Sequence, residues 1–166
     1  MIKCKDFRIM RNGNQLEDKK IGNIRNLIVK DPTVISEGAE MIDVLRKMNE
    51  DLRTRHIYVV DGDNRLVGSV RMNSIVQYLF PYSSVLTIGV QLQSDLGSNL
   101  FSKHVEDIMR RDPFYVKEGD TLGDCAKIFI SEKMNELPVV KDDMTIVGQI
   151  NIHEIIEDYI SSSEND

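Results

Sequence analysis

The chain has no tryptophan, only two cysteines and four prolines in 166 residues, and aromatics make up 6% of it. Cys4 and Cys125 lie far apart and fit no zinc or dithiol spacing, so they provide neither a disulfide framework nor a metal pair. His56, His104 and His153 are equally scattered and show no metal-ligand spacing. No stretch approaches the roughly 18 apolar residues needed to cross a bilayer. The first residues, MIKCKDFRIM, lack the apolar core of a signal peptide. Also missing are a P-loop, a G-x-S-x-G elbow, a His-Glu-x-x-His helix and a Cys-x-x-Cys pair. These absences lead to an expected cytoplasmic chain that is not an enzyme, needs no cofactor or metal, and has no membrane partner.

An excess of positive charge is missing too. The net charge is −6, which argues against a nucleic-acid partner. The distribution is uneven. Residues 1–30 hold eight Lys or Arg against three Asp or Glu, and the remainder hold 13 against 24. The expectation for residues 1–20 is a basic, solvated leader. The last residues, 161–166, form a polar tail expected to fray.

What the sequence does contain is a repeat. KDPTVISEGAEMIDVLRKM (30–48) lies over RDPFYVKEGDTLGDCAKIF (111–129), and RHIYVVDGDNRLVGSV (55–70) lies over NELPVVKDDMTIVGQI (135–150). In each copy Asp-Pro leads into a short extended piece, since proline disfavours helix in the residue before it. A helix follows. Met41, Val44, Leu45 and Met48 fall at i, i+3, i+4, i+7, and Leu122, Cys125, Ala126 and Phe129 repeat that face. Thr121 and Asp124 have the spacing of a capping box. Two strands around a polar turn come next, DGDN in one copy and KDDM in the other. A second helix closes each copy, near 73–80 and 152–160.

The fold class is therefore mixed α/β, with two β-α-β-β-α repeats at residues 21–80 and 105–160. An inter-repeat insertion, 81–104, carries enough apolar positions to predict packed structure. One repeat of roughly 55 residues exposes too much apolar surface alone. Pseudo-twofold pairing of the two copies is the expected remedy.

The repeated order, the Asp-Pro start, the Leu-Pro-Val-Val strand and the Gly-containing strand before the last helix resemble the CBS domain family. Two such repeats resemble a CBS pair, or Bateman module. The resemblance spans about residues 21–160. It implies a regulatory module that binds AMP, ADP, ATP or S-adenosylmethionine in clefts between the repeats, and a homodimer acting on a regulated protein partner. In the family, a Ser or Thr followed three residues later by Asp opens the last helix. The hydroxyl meets phosphate or ribose, and the Asp accepts from the ribose diol.

Both copies here depart from that motif. In IVGQINIHEI (146–155) the two positions are Asn151 and Glu154. In LVGSVRMNSI (66–75) they are Arg71 and Ser74. The family pattern implies a first ligand set of Val29, Lys30, Thr33, Val34, Thr54, Arg55, Asn151, His153 and Glu154. A second, less favoured set comprises Arg71, Asn73, Ser74, Met109, Phe114, Tyr115, Met134 and Asn135. Only the first keeps a carboxylate.

Plainer roles stand beside these. Glu154 also suits the first turn of a helix as a solvated acid, and Arg71 suits a surface ion pair. Cys125 lies on the apolar helix face and reads as core. The acidic stretches at 61–64 and 141–144 read as hairpin turns before calcium loops. The alternative function is a dimerisation or protein-interaction module whose clefts are filled by its own side chains.

Overall fold

The computed structural model describes residues 16–24, 28–29, 31–51, 54–80 and 103–164, with side chains as far as residue 161. Lys30 and residues 81–102 of the insertion lie outside the described residues. The elements run β1 (Ile28–Val29), β2 (Val34–Ser36), α1 (Met41–Glu50), β3 (His56–Val60), β4 (Leu66–Arg71), α2 (Met72–Leu79), β5 (Val116–Lys117), α3 (Leu122–Glu132), β6 (Glu136–Val140), β7 (Ile146–Asn151) and α4 (Ile152–Glu164). Single 3-10 turns occupy Ile21–Asn23 and Val105–Asp107. The β-α-β-β-α order is present twice. Helix α4 runs on to Glu164, so residues 161–164 of the polar tail are helical backbone.

The chain divides into two compact units. One is Pro32–Pro113, and the other combines Met1–Asp31 with Phe114–Asp166. Each unit holds one sheet. In the first, β3 pairs antiparallel with β4 and parallel with β2. In the second, β6 pairs in the same way with β7 and β5. The hairpin turns are built alike. Asn64 and Met144 adopt positive φ values of 61° and 69°, and a register irregularity falls at Val59/Val60 and at Val139/Val140. The acidic residues serve these turns. Asp61 Oδ1 accepts from the amides of Asp63 and Arg65, both at 2.9 Å, and Asp143 Oδ1 accepts from Thr145 at 3.0 Å.

The helices bury the faces their spacing predicts. Met41, Val44 and Met48 of α1 join the core of the first unit, and Leu122, Cys125 and Phe129 of α3 join that of the second. Thr121 Oγ1 accepts from the Asp124 amide at 3.2 Å, and Asp124 Oδ2 accepts from the Thr121 amide at 3.1 Å, which completes the capping box. Cys125 is fully buried, and burial, with the charges of Asp120 and Asp124, pushes its thiol up to about 12.

The opening stretches of the repeats hold a feature the repeat alignment does not reveal. Each sheet is extended by the opening stretch of the other repeat. Strand β1, ahead of β2 in the first repeat, pairs antiparallel with β7 of the second, with Val29 opposite Gln149. Arg110, ahead of β5 in the second repeat, pairs with Ser69 of β4 through bonds of 3.0 and 2.9 Å. The repeated Val-Gly makes room for this. A Cβ on Gly148 would meet Val29 O at 2.7 Å, and one on Gly68 would meet the Met109 sulfur at 2.6 Å.

The exchange continues upstream. Ile21 and Val105 are both fully buried, one in each core. The Ile21 amide donates to Asp120 O at 3.0 Å, and the Val105 amide donates to Ala39 O at 2.9 Å. The end of the basic leader is thus docked protein rather than a solvated arm. Its residues before Leu16 lie outside the described residues.

Candidate functional site

The start of α4 brings three of the expected residues together. Strand β7 ends at Asn151, opposite Glu136 of β6. The Ile152 amide donates to Asn135 O at 2.8 Å, which turns the chain into the helix. Asn151 Oδ1 then accepts from the amides of His153 at 2.9 Å and Glu154 at 3.3 Å. Asn151 is therefore the helix cap, a role its residue type favours. His153 is exposed and Glu154 half-buried. Glu154 Oε2 is itself buried and has no hydrogen-bond partner among the described residues. A buried carboxylate oxygen without a donor is costly. It sits where the helix dipole favours an anion, and a ligand hydroxyl or amine would satisfy it.

The equivalent helix start in the first repeat is built differently. Arg71 ends β4 and begins α2 without a side-chain cap. The Met72 amide donates to Arg55 O at 2.9 Å, which repeats the Ile152–Asn135 bond. Asn73 is exposed and Ser74 half-buried. Ser74 carries no charge with which to hold a diol.

The remaining expected residues divide between the units. Of the first set, Val29, Asn151, His153 and Glu154 lie in the unit of the second repeat, and Thr33, Val34, Thr54 and Arg55 lie in Pro32–Pro113. Within that latter unit the Thr33 and Thr54 hydroxyls lie 3.1 Å apart, beside the Arg55 carbonyl that receives α2. Of the second set, Arg71, Asn73, Ser74 and Met109 lie in Pro32–Pro113, and Phe114, Tyr115, Met134 and Asn135 lie in the other unit. Met134 is buried in that unit's core, Phe114 packs against it, and Tyr115 is exposed.

Glu136 was not singled out from the sequence, and His56 was weighed only as a histidine without metal-ligand spacing on an otherwise apolar strand. His56 and Glu136 begin β3 and β6, are each 6% exposed, and stand opposite Arg71 and Asn151. The available signal was one polar residue opening an otherwise apolar strand at the same place in both copies. Among the described residues no group of three or more His, Cys, Asp or Glu is arranged to hold a metal ion. None of the described helices is long and apolar enough to cross a membrane.

Two tandem β-α-β-β-α units, each with a helix opened by an altered Ser/Thr–Asp pair, define a class of protein. The CBS domain model matches residues 24–81 and again 105–161, and the chain belongs to the CBS domain family. It is 26% identical over 148 residues to protein MJ1426 of Methanocaldococcus jannaschii, an alignment covering 78% of this chain and 87% of that protein. A CBS domain-containing protein of Thermotoga maritima, TM0935, is 29% identical with a TM-score of 0.68, covering 86% and 95% of the two chains. CBSX2 in complex with AMP is 18% identical, with a TM-score of 0.66 and coverage of 87% and 98%. The CBS pair of protein MJ0100, in complex with 5-methylthioadenosine and S-adenosyl-L-methionine, is 17% identical, with a TM-score of 0.62 and coverage of 87% and 98%. The last two likenesses are of fold alone.

Proposed function

We propose that this chain is a non-enzymatic, ligand-sensing regulatory CBS pair that takes an adenosine-type ligand, AMP, ADP, ATP or S-adenosylmethionine, at the Glu154 helix start. The observation that carries the reading is the buried Glu154 Oε2, which has no hydrogen-bond partner among the described residues. A ribose diol donates two hydrogen bonds to a carboxylate, and the family's Asp does this work at the same position. CBS pairs of the same fold hold AMP in CBSX2 and S-adenosylmethionine in MJ0100. Glutamate keeps the charge and sets it one methylene further out. The Ser74 helix start lacks the carboxylate, so the reading is one ligand per chain.

The output passes through another chain or through assembly. Helices α2 and α4 expose Val76, Leu79, Ile156 and Ile160, each between 46% and 50%. Apolar exposure on that scale suits a homodimer or a regulated protein partner. Thermal-shift titration of the full chain with the four ligands tests the proposal, since preferential binding to the folded state raises its stability. A saturable shift with one of them, lost in Glu154→Ala, is expected. No shift with any of the four favours the alternative of an interaction module with filled clefts.

A further inference from the structure

The stretch Leu16–Ile24 lies across the start of α3 and is bound to α4. Leu122 N donates to Lys19 O at 3.0 Å, Gly22 N to Glu118 O at 2.9 Å, and Ile21 N to Asp120 O. Ile21 fills the core below. The fit is close, because a Cβ on Gly123 would meet Glu17 O at 3.2 Å and one on Gly22 would meet Glu118 O at 3.2 Å. Lys20 Nζ donates to Gly119 O at 2.6 Å. Lys19 Nζ reaches Asp158 Oδ2 at 2.9 Å, with the two side chains 39% and 20% exposed.

Asp158 is one helical turn beyond Glu154, so the two carboxylates share a face of α4. Like charges at that spacing repel, and Lys19 offsets the repulsion by pairing with one of them. The charge on Glu154 and the docking of Lys19 are thereby linked. The matching position in α2 is Tyr78, which gives the first repeat no such ion pair.

We propose that Leu16–Ile24 is an output strap, whose hold on the second-repeat unit follows the state of Glu154 through Lys19 and Asp158. It rests on the ligand reading above only in taking Glu154 as the input. By linkage, whatever changes the energy of the Glu154 carboxylate changes strap docking, and the reverse.

Hydrogen–deuterium exchange of the full chain, read at the Ile21, Gly22 and Leu122 amides, tests this. Asp158→Asn is expected to speed exchange about two- to fivefold, the scale of a partly exposed ion pair. Glu154→Gln is expected to speed it about twofold, and to add nothing in an Asp158→Asn background. AMP is the ligand probe, with binding followed separately by calorimetry. If AMP binds and strap exchange shifts at least about twofold, with the shift lost in Asp158→Asn, both proposals stand. If AMP binds and the strap does not respond, the strap proposal falls and the ligand reading survives. If AMP does not bind, the AMP reading falls. The strap is then decided by Glu154→Gln: faster exchange keeps it, and unchanged exchange overturns it.

Discussion

The carbonyl oxygen of Val29 occupies the space a side chain on Gly148 would need, 2.7 Å from a Cβ built there, and the Ile28 side chain crowds the same point. Pairing of β1 with β7 therefore depends on glycine. Gly148→Ala is expected to cost about 1–3 kcal/mol, the usual scale of overpacking a fitted site. Gly68→Ala is expected to cost less, because the nearest atom is the Met109 sulfur, which can swing aside, and Arg110 O stands off at 3.2 Å. Urea denaturation of both variants gives the comparison. Equal, negligible losses would remove the crossing segments as the reason for the repeated Val-Gly.

Asn151 caps α4 through the amides of His153 and Glu154. Asn151→Ala is expected to lose about 1 kcal/mol of stability, and Asn151→Ser to recover most of it. Such a recovery would mean that the departure from the family's hydroxyl preserves the cap. Chemical denaturation of the two variants measures it.

The Lys127 ammonium, followed by the amide and hydroxyl of Thr121, holds the Asp124 carboxyl down to about 2, against an ordinary value of 3.8. A group depressed on folding stabilises fully above its unfolded value, and the contribution fades as pH falls through the folded value. The Asp124→Asn variant should therefore lie below the native protein in melting temperature at pH 6. The gap should narrow steadily between pH 4 and pH 2. A gap independent of pH would contradict the assignment.

Cys125 is fully buried with its thiol pushed up to about 12. The thiolate is the reactive form. Iodoacetamide at pH 8 should leave Cys125 unmodified in the native chain and alkylate it once the chain is unfolded, with peptide mass spectrometry reporting the position. Labelling at the same rate in both states would place Cys125 outside the core.

Much of the architecture was legible because the repeat imposes two periods twice. The apolar face of Met41, Val44 and Met48 returns as Leu122, Cys125 and Phe129, and both faces are buried. The capping box at Thr121 and Asp124 was readable from spacing alone. The crossing of β1 and Arg110 was not, because two-residue pairings leave no alternation to read. The docked end of the leader was hidden by its charge. Lys19 and Lys20 suggest a solvated arm, while the residues that anchor it are the buried Ile21 and Ile24 just beyond them. At the site, the sequence identified Asn151 and Glu154 as the altered motif pair. It did not separate Asn151, which caps the helix, from Glu154, whose buried Oε2 has no partner among the described residues.

Isothermal calorimetry of AMP, ADP, ATP and S-adenosylmethionine, on the native chain and on Glu154→Ala, tests the central claim most directly. The account predicts that at least one of them binds with about one equivalent per chain. It also predicts that Glu154→Ala, still folded, weakens that binding by about 10- to 100-fold, the scale of hydrogen bonds to a charged group. Unchanged affinity in Glu154→Ala, or no binding of any of the four, would contradict it.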